Sequence, residues 1–573
     1  MSASAGVRPA GTVRIGVYLC ECGPNIAGRI DLDAVRDALL AEGGRYRGAE
    51  LVVKRYGFLC SGPGKQFLTD EIRDNGLTHL VVGACSPRDH DSTFMGVCAG
   101  TDLNPYLYRI VNIREHCAWV IDDPSGATGQ AVSYLLGGIS RVLRQSPLHE
   151  RPLEVNPDVL VIGGGAAGME TSLALAGNGR RVVLVERGPA PGGCMGSSSA
   201  AAEAVRRHPD IRILRESEVS KVIGFLGNFE VEVTRRDGPA ETVAAGAIVL
   251  AIGSRTFEPT DDPDVSYGPD DDVVPLEAME RLLAGGGEPL LRDGSPPRSV
   301  ALVHCVGRGE LGYCSGSCCA RALALAARLR AVRPDMEVVS VHRDLCLPGR
   351  GGTGILDRAD ASGVGRIRAL RAVQSGNELA VEAMDGTPSK RRFDLVIPVP
   401  GTVPADDTGR LAAMLRLPLD EQGFFREMHR MVDPSGTATD GVFLAGTAHG
   451  PKDLRTALRF AGSCAGQILT RLVPGERLVP EVKVSEILEA YCTGCGNCRE
   501  VCVYGAIHAD PDRGISVVNE AVCRGCGNCY GSCPSGALRT RHFTNEQLLR
   551  EVDEALRRRV PVLPEPPVAE VHP

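Results

Sequence analysis

Residues 156–188 read NPDVLVIGGGAAGMETSLALAGNGRRVVLVERG, and this segment indicates the fold of the middle of the chain. An apolar strand runs into Gly163-x-Gly165-x-x-Gly168, a helix follows, and a second strand ends at Glu186. The first glycine permits the turn, the second lets the backbone approach a pyrophosphate, and the third allows tight helix–strand packing. The helix N-terminus offers N–H groups to the phosphates, and Glu186 is placed for the ribose hydroxyls. The stretch predicts a dinucleotide-binding unit, with a purely structural βαβ unit as the alternative.

Two later segments decide between FAD and NAD. Residues 247–253 (AIVLAIG) resemble the connecting segment of flavoproteins with two dinucleotide domains. Residues 441–446 (GVFLAG), followed by 451–453 (PKD), resemble the late flavin-contacting segment of the same flavoproteins. In that architecture FAD occupies the first Rossmann unit and NAD(P) the second. The residues predicted to hold FAD are Gly163, Gly165, Ala166, Ala167, Gly168, Glu186, Arg187, Gly193, Gly253, Gly446, Pro451, Lys452 and Asp453.

The second Rossmann unit should begin at the strand-like residues 299–306, and cysteines fill the turn that follows. The sequence there is HCVGRGELGYCSGSCC, and a helix is predicted over 320–330. Loops between a strand and a helix are where α/β sheets place ligands, so an iron–sulfur cluster is predicted in place of a nicotinamide site. The alternative is a set of buried thiols that act as small hydrophobic residues. The predicted ligands are Cys305, Cys314, Cys318 and Cys319.

The densest cysteine region lies near the C-terminus, where C-x2-C-x2-C-x3-C occurs twice, over 492–502 and 523–533. In this spacing three thiolates of a run hold one cubane and the fourth ligates the neighbouring cubane. Structural zinc is the alternative, but zinc sites use paired C-x2-C knuckles instead of two runs of four. One [4Fe–4S] cluster is therefore assigned to Cys492, Cys495, Cys498 and Cys533. The other is assigned to Cys523, Cys526, Cys529 and Cys502.

A third group of cysteines is scattered near the N-terminus. Cys20, Cys22, Cys60 and Cys85 lie at or just after short apolar strand-like runs, and Cys117 follows further on. Because the carboxyl ends of parallel strands meet at one edge of a sheet, the first four thiols could converge there. Spacing alone leaves a metal site and separately buried thiols as equal alternatives.

Composition limits the possible classes of protein. The chain has 573 residues, a net charge of −8 and 21 cysteines. It has no apolar run of the roughly 18–20 residues that span a membrane, no signal peptide layout and no basic block for nucleic acid. A cytoplasmic location is expected, where thiols stay reduced, so metal is the leading purpose for the cysteines.

Taken together, the motifs resemble those of the A-type subunits of the heterodisulfide reductase family over nearly the whole chain. The segments that carry the resemblance are GVYLCECGPNIAG, GACSPRDHDSTF, LNPYLYRIVNIREHCAWV, the flavin unit 159–186, CVGRGELGYCSGSCC, GVFLAGTAHGPKD and the terminal double-cluster region. The resemblance implies a thioredoxin-reductase-like FAD domain that exchanges electrons with a chain of clusters. It also implies that Cys20, Cys22, Cys60 and Cys85 are the N-terminal ligands, with Cys117 as a substitute for one of them. One FAD and four clusters are then expected.

Two features depart from the family pattern. Methanogen-type members carry a further ferredoxin-like insertion after the flavin Glu, and here residues 191–196 lead almost directly into 200–213, so this is a short form. Arg350 stands where a flavin-tuning Lys is expected, and its planar fork binds differently from an ammonium group. Electron transfer is therefore predicted, and flavin-based electron bifurcation is left open.

The predicted architecture is α/β, with a two-Rossmann FAD domain between an N-terminal cluster domain and a C-terminal 2[4Fe–4S] ferredoxin domain. The boundaries are 1–150, 151–480, 481–545 and 546–573, the last being a helix and a Pro-rich tail. His449 is expected to contact the flavin or shape its pocket. Four cysteines have no predicted task beyond packing, namely Cys98, Cys194, Cys346 and Cys464.

The function expected from this architecture is that of an electron-transferring subunit. The implied partners are B- and C-type subunits, a hydrogenase or formate dehydrogenase, and ferredoxin, and a homodimer of the chain is a further candidate. Two other functions remain as alternatives. One is a stand-alone NAD(P)H-dependent oxidoreductase similar to the small subunit of glutamate synthase, and the other is a non-catalytic redox scaffold or sensor.

Overall fold

The computed structural model describes residues 12–46 and 48–557, and of Cys194 only the backbone. The chain divides into two compact units. The first combines the chain up to Arg151 with the chain from Val479 onward, and the second is Pro152–Leu478. The Pro-rich tail predicted over 560–573 lies outside the described residues.

The N-terminal part of the first unit is a parallel sheet covered by helices. Its strands are β1 (Val13–Cys20), β2 (Ala49–Tyr56), β3 (His79–Ala84) and β4 (Tyr108–Asn112). Its helices are α1 (Leu32–Glu42), α2 (Gly62–Asp74), α3 (Pro87–Ala99) and α4 (Pro124–Val142). The strand order is β2-β1-β3-β4, and every neighbouring pair is parallel. The carboxyl ends of β1 and β3 therefore lie side by side at one edge.

The second unit contains many short elements. Its strands are β5 (Leu153–Glu154), β6 (Val159–Ile162), β7 (Val182–Glu186), β8 (Ile211–Arg215), β9 (Ser217–Phe225), β10 (Asn228–Arg235), β11 (Glu241–Ala245), β12 (Ala247–Leu250), β13 (Ser254–Thr256), β14 (Val265–Ser266), β15 (Ser299–Val306), β16 (Glu337–His342), β17 (Gly365–Ser375), β18 (Glu378–Ala383), β19 (Pro388–Arg392), β20 (Leu395–Pro400), β21 (Thr402–Pro404), β22 (Val442–Leu444) and β23 (Arg477–Leu478). Its helices are α5 (Ala166–Ala176), α6 (Ala200–Arg207), α7 (Leu276–Ala284), α8 (Arg308–Leu311), α9 (Cys318–Val332), α10 (Gly352–Ala361), α11 (Thr408–Leu415) and α12 (Leu454–Arg471).

Two Rossmann-type sheets organise these elements. The first has the order β22-β12-β6-β7-β8 with parallel neighbours, and an antiparallel sheet β11-β10-β9 accompanies it. The second has the order β19-β18-β17-β16-β15-β20, parallel among β17, β16, β15 and β20. The central strands β6 and β15 are buried along almost their whole length, as expected for parallel strands covered on both faces. The predicted two-Rossmann fold is confirmed.

The C-terminal part of the first unit is a small repeat. Its elements are β24 (Ser485–Ile487), α13 (Asn497–Glu500), β25 (Ile507–Asp510), β26 (Ile515–Val518), α14 (Asn528–Gly531), β27 (Leu538–Thr540) and α15 (Asn545–Arg557). β24 pairs with β27 and β25 with β26, both antiparallel, and each cysteine run contains one of the two short helices. α15 packs on α4, where a Cβ on Gly137 would come 2.9 Å from the carbonyl oxygen of Glu551. Within the described residues, no helix is long and apolar enough to cross a membrane.

Candidate functional site

The glycine turn after β6 is built to let a ligand approach the backbone. Gly163 has φ +104°, and a Cβ there would lie 2.4 Å from the carbonyl oxygen of Ala251. A Cβ on Gly168 would lie 1.9 Å from the carbonyl oxygen of Gly163, so this glycine allows α5 to pack on β6. A Cβ on Gly165 would meet nothing within 4 Å. Open space at the N-terminus of α5 is what a pyrophosphate needs.

Glu186 at the end of β7 is held beside this turn by two backbone donors. The N–H of Gly164 donates to its Oε2 at 2.8 Å, and the N–H of Gly188 donates to its Oε1 at 2.6 Å. The carboxylate is thereby fixed at the edge of the turn, on the strand next to β6. This is the position from which an acidic residue reaches ribose hydroxyls in dinucleotide-binding units.

A cleft of about 700 Å³ opens in front of the turn and is large enough for a dinucleotide. Most of the residues predicted to hold FAD line it, namely Gly163, Gly165, Ala166, Ala167, Glu186, Arg187, Gly193, Gly253, Gly446, Lys452 and Asp453. Gly168 and Pro451 do not line the cleft. Gly168 faces the strand behind the turn. Arg321 and Arg410 also line the cleft, and no motif in the sequence indicates them.

Lys452 is a cation of the cleft whose pKa is shifted by burial. Its Nζ donates to the carbonyl oxygens of His449 and Gly450, both at 3.2 Å, and lies 5.1 Å from the centre of the Phe460 ring. Burial lowers the pKa of Lys452 to about 8. Asp453 accepts from the N–H of Thr456 and so caps α12.

His449 lies behind Lys452 and does not line the cleft. Both ring nitrogens are buried without a hydrogen-bond partner, and burial lowers the pKa of this imidazole to about 3. It is therefore neutral at physiological pH and packs edge-on against Phe460, with ring centroids 5.1 Å apart. His449 is thus not in contact with the cleft, and a part in shaping the pocket stays a prediction.

The turn of the second Rossmann sheet is closed to a phosphate by the chain's own residues. The N–H of Gly307 donates to Oδ2 of Asp262 at 2.6 Å, so a carboxylate occupies the place where a phosphate oxygen would be bound. A Cβ on Gly307 would lie 2.5 Å from the Phe257 ring, which covers the turn. α8 has only four residues before Gly312 ends it in a left-handed conformation. The arrangement argues against a nicotinamide dinucleotide at this turn.

The cysteines of the same loop lie together. The Cys318 and Cys319 thiols interact directly, which lowers the pKa of Cys318 and, with burial, raises that of Cys319 to about 12. The Cys305 and Cys314 thiols also face Cys318. Cys305 has φ +64°, a conformation that non-glycine residues rarely adopt and that is typical of functional sites.

Cys346 is a fifth thiol at this loop, although the sequence predicts only a packing role for it. The Cys314 and Cys319 thiols face it and, after burial, contribute to the raised pKa of Cys346. Its Sγ would be 3.7 Å from a Cβ on Gly316. Sequence could not place it, because Cys346 follows β16 and reaches the cysteine loop only through the β15–β16 pairing. Arg350, further along that loop, is exposed and does not line the flavin cleft.

The terminal cysteines lie in two sets, each drawn from both runs. Cys492, Cys495, Cys498 and Cys533 line one small cavity of about 20 Å³. Cys529 is buried, and the three thiols that face it and contribute to its raised pKa are Cys523, Cys502 and Cys526. Each set is one of the two that the spacing predicts as ligands of a single cluster.

Four of the N-terminal cysteines converge at the edge of the first sheet. Cys20 is faced by Cys22 and Cys60, and Cys85 by Cys22, with burial raising the pKa of Cys85 to about 11. Cys22 has φ +46°, and Nη1 of Arg114 lies 3.7 Å from its Sγ. In the 305–319 loop, Nη1 of Arg308 lies 4.0 Å from Sγ of Cys305. The N-terminal cysteine group and the 305–319 group therefore each have a guanidinium beside a sulfur.

The remaining cysteines lie in apolar surroundings. Cys117 is fully buried in the core beneath α4, and burial alone raises its pKa to about 12. Cys98 and Cys464 are likewise buried with raised pKa values. The structure therefore groups Cys20, Cys22, Cys60 and Cys85 and leaves Cys117 outside that group. All twenty cysteines whose side chains are described are unpaired thiols.

The cysteine groups suit a cluster better than a single ion. A zinc knuckle would gather four ligands around one ion. A cavity ringed by four thiols, as at Cys492, fits a larger group that stands between its ligands.

The glycine turn, the cleft and the four cysteine groups define an iron–sulfur flavoprotein of the oxidoreductase class. Two family models match the chain accordingly. The model described as pyridine nucleotide-disulphide oxidoreductase matches residues 152–285, and that of the 4Fe-4S dicluster domain matches residues 491–544.

Curated relatives specify the family. An A-type iron-sulfur subunit of CoB–CoM heterodisulfide reductase from Methanopyrus kandleri is 33% identical over 95% of this chain and 99% of that protein. The A-type subunit of the H(2):CoB-CoM heterodisulfide,ferredoxin reductase of Methanothermobacter thermautotrophicus is 31% identical, over 95% and 97%. That of the Ferredoxin/F(420)H(2)-dependent CoB-CoM heterodisulfide reductase of Methanosarcina acetivorans is 33% identical, over 95% and 81%. This chain belongs to the family of A-type heterodisulfide reductase subunits.

Solved structures resemble part of the chain more distantly. Thioredoxin reductase from T. acidophilum is 14% identical, with a TM-score of 0.37 over 55% of this chain and 97% of that one. The Lactococcus lactis thioredoxin reductase is 16% identical, with a TM-score of 0.38 over 55% of this chain and 99% of that one.

The sequence alignment to the Methanopyrus relative runs over 653 positions, so that relative carries residues that this chain of 573 lacks.

Proposed function

We propose that this chain is the electron-transferring subunit of a heterodisulfide reductase-like complex, holding one FAD and four [4Fe–4S] clusters. The observation that carries the proposal is the presence, in one chain, of a dinucleotide-sized cleft at a glycine turn and four separate groups of four or more thiols. When bound, FAD exchanges electron pairs whereas clusters carry single electrons, and the protein sets their potentials through burial, charge and sulfur hydrogen bonds.

The residues of the cleft divide the binding of FAD among them. The N–H groups at the start of α5 would donate to the pyrophosphate beside Gly165, and the Glu186 carboxylate would accept from the ribose hydroxyls. Lys452 would place a positive charge beside the flavin. A positive charge there favours the reduced, more negative form of a bound flavin.

The proposed cluster ligands follow the observed groups. They are Cys492, Cys495, Cys498 and Cys533; Cys523, Cys526, Cys529 and Cys502; Cys305, Cys314, Cys318 and Cys319; and Cys20, Cys22, Cys60 and Cys85. Arg114 and Arg308 lie within 4 Å of the sulfurs of Cys22 and Cys305. At that distance each guanidinium would stabilise the negative charge of a thiolate-bound cluster.

The proposed partners are other subunits of such a complex in the cytoplasm. Relatives are named for hydrogen-, formate- or ferredoxin-dependent reduction of the CoB–CoM heterodisulfide, so B- and C-type subunits, a hydrogenase or formate dehydrogenase, and ferredoxin are the candidates. Electron bifurcation would need a donor of electron pairs and two acceptors. Arg350 is exposed and does not line the cleft, so this residue would take no part in tuning the flavin. Transfer without bifurcation is therefore the simpler form of the proposal.

The test is the cofactor content of the chain purified without oxygen. We expect one FAD and about 16 iron atoms per chain, four for each cubane, with interacting clusters in the EPR spectrum of the reduced protein. About 8 iron atoms would leave only the terminal pair and would refute the two inner assignments. The absence of a flavin absorption band at about 450 nm would favour a redox scaffold instead.

The stand-alone NAD(P)H oxidoreductase is tested separately by stopped-flow mixing of the purified chain with NADH or NADPH. We expect no rapid loss of flavin absorbance, because Asp262 and Phe257 close the second turn. Fast bleaching by either nucleotide would overturn the assignment to a complex whose other members supply the electrons.

A further inference from the structure

We propose that the first unit binds a small oxyanion of phosphate size, in a cavity of about 190 Å³ between the N-terminal sheet and the C-terminal segment. The cavity contains none of the cysteines and none of the cleft residues discussed above. It is lined from α3, β4 and α4, and by residues 483, 542 and 543 from the C-terminal segment. A volume of this size would hold about six water molecules, which leaves room for a tetrahedral oxyanion and part of its hydration.

Positive charge dominates the walls. Arg109, Arg141 and Lys483 line the cavity, against the single carboxylate of Asp91. The guanidinium groups of Arg109 and Arg141 share one further carboxylate, that of Glu551, which lies behind them. Three cations therefore face two carboxylates. No carboxylate in the described part of the chain forms an ion pair with Lys483, whose ammonium lies 5.7 Å from the centre of the Tyr106 ring.

Several buried polar atoms of the cavity have no hydrogen-bond partner. They are Tyr108 Oη, Arg141 Nε and Gln145 Oε1, and only 6% of Tyr108 and 4% of Arg141 is exposed. The Asp91 carboxylate faces the Tyr108 hydroxyl and, after burial, contributes to the raised pKa of Tyr108. Buried polar atoms are almost always paired in folded proteins, so three unpaired ones in one cavity indicate that a bound ligand or water satisfies them. Two of these atoms donate hydrogen bonds and one accepts, and a hydrogen phosphate group accepts through its oxygens and donates through its hydroxyl.

The backbone at His542 supports a built site. His542 has φ +65° and is buried, with Nε2 2.7 Å from the carbonyl oxygen of Ser146. Its own carbonyl oxygen accepts from Nη2 of Arg141. Because a carbonyl can only accept, Nε2 carries the proton, and burial lowers the pKa of this imidazole, which stays neutral. The rare backbone conformation is thus held in place by two contacts to α4 and the residues just after it.

The test is a titration of the FAD-loaded full-length protein with inorganic phosphate at constant ionic strength. Binding is measured by calorimetry and by ³¹P NMR. Loading with FAD fills the pyrophosphate position, which could otherwise bind phosphate. We expect saturable binding with one site per chain, weakened about tenfold in Lys483→Met and severalfold in Tyr108→Phe. Lys390→Met is the matched control, since Lys390 lies on an exposed hairpin of the second unit, and should leave binding unchanged.

Thermal unfolding of each variant checks the fold, and Tyr108→Phe removes only a hydroxyl, so it keeps the test valid if Lys483→Met is unstable. Acetate should bind at least tenfold more weakly than phosphate because it lacks a donor for Gln145 Oε1. Tighter binding of glycerol phosphate would identify a phosphomonoester as the ligand, and weaker binding would identify free phosphate. No saturable binding, or binding that neither variant weakens, would overturn the proposal and leave a cavity that holds only water.

Discussion

Gly165 and Gly168 occupy the same turn for different physical reasons, and substitution should separate the two. The added Cβ in Gly165→Ala meets nothing in the protein and φ is −74°, so the fold should keep its stability while FAD affinity falls at least tenfold. In Gly168→Ala the Cβ would clash with the carbonyl oxygen of Gly163, so both stability and FAD content should fall. Thermal unfolding and flavin absorbance measure the two effects. Full retention of FAD by Gly165→Ala would contradict a pyrophosphate at this turn.

Lys452 should tune the flavin in a pH-dependent way. With its pKa lowered to about 8, the ammonium is charged at pH 7 and becomes neutral as the pH rises through 8. The charges that act on it are the carboxylate of Glu427 and the guanidinium of Arg430, with opposite effects on the pKa, and neutral His449 lies beside it. Lys452→Met should therefore lower the flavin midpoint potential by roughly 30 mV at pH 7, and by less at pH 9. Lys390→Met should shift nothing, and a shift that grows with pH would contradict this origin.

Cys22 and Cys117 test the N-terminal ligand group. Cys22→Ser should lose about four iron atoms per chain, because the Cys22 thiol lies between those of Cys20 and Cys85. Cys117→Ser should keep its iron but lose roughly 1–3 kcal/mol of unfolding free energy, because it buries a hydroxyl in an apolar core. Iron analysis with chemical denaturation distinguishes them. Loss of iron in Cys117→Ser would move this residue into the ligand set.

At the level of elements, α15 depends on a charge contact that sequence could not indicate. Glu551 contacts Arg109 and the buried Arg141 of the N-terminal sheet domain, more than 400 positions earlier in the chain. Glu551→Gln leaves the Arg141 guanidinium buried without its carboxylate, which should cost roughly 2–4 kcal/mol. Amide hydrogen exchange over 545–557 should show lost protection. Glu546→Gln on the same helix is the control, since its exposed pair with Arg144 is worth at most about 1 kcal/mol; equal losses would contradict the argument.

How far sequence predicts each element depends on whether its signal is local. The strand–turn–helix around Gly163 and the strand at 299–306 are local patterns, and the structure has them at Val159–Ile162, Ala166–Ala176 and Ser299–Val306. The approach of Cys346 to Cys314, the Asp262 carboxylate at Gly307 and the cavity at Tyr108 join distant segments. No spacing encodes such contacts, because tertiary packing alone creates them.

For the whole molecule, the second unit is inserted into the first through ends that lie together. β5 and β23 pair antiparallel, Leu153 with Leu478, so the chain enters and leaves this unit at one point. Its cleft and the Cys305 loop lie within Pro152–Leu478, and its parallel sheets have their own buried cores. A segment of 152–478 expressed alone should therefore fold and bind one FAD and about four iron atoms.

The complementary deletion tests the same division from the other side. A short Gly/Ser linker that joins 151 to 479 should span the gap, because the β5–β23 pairing brings these ends close together. The shortened chain should bind no flavin and about 12 iron atoms, since three of the four cysteine groups lie in the first unit. Glu551→Gln in this shortened chain should again reduce protection of α15, because its partners Arg109 and Arg141 are retained. Aggregation of both pieces would contradict two independently stabilised units.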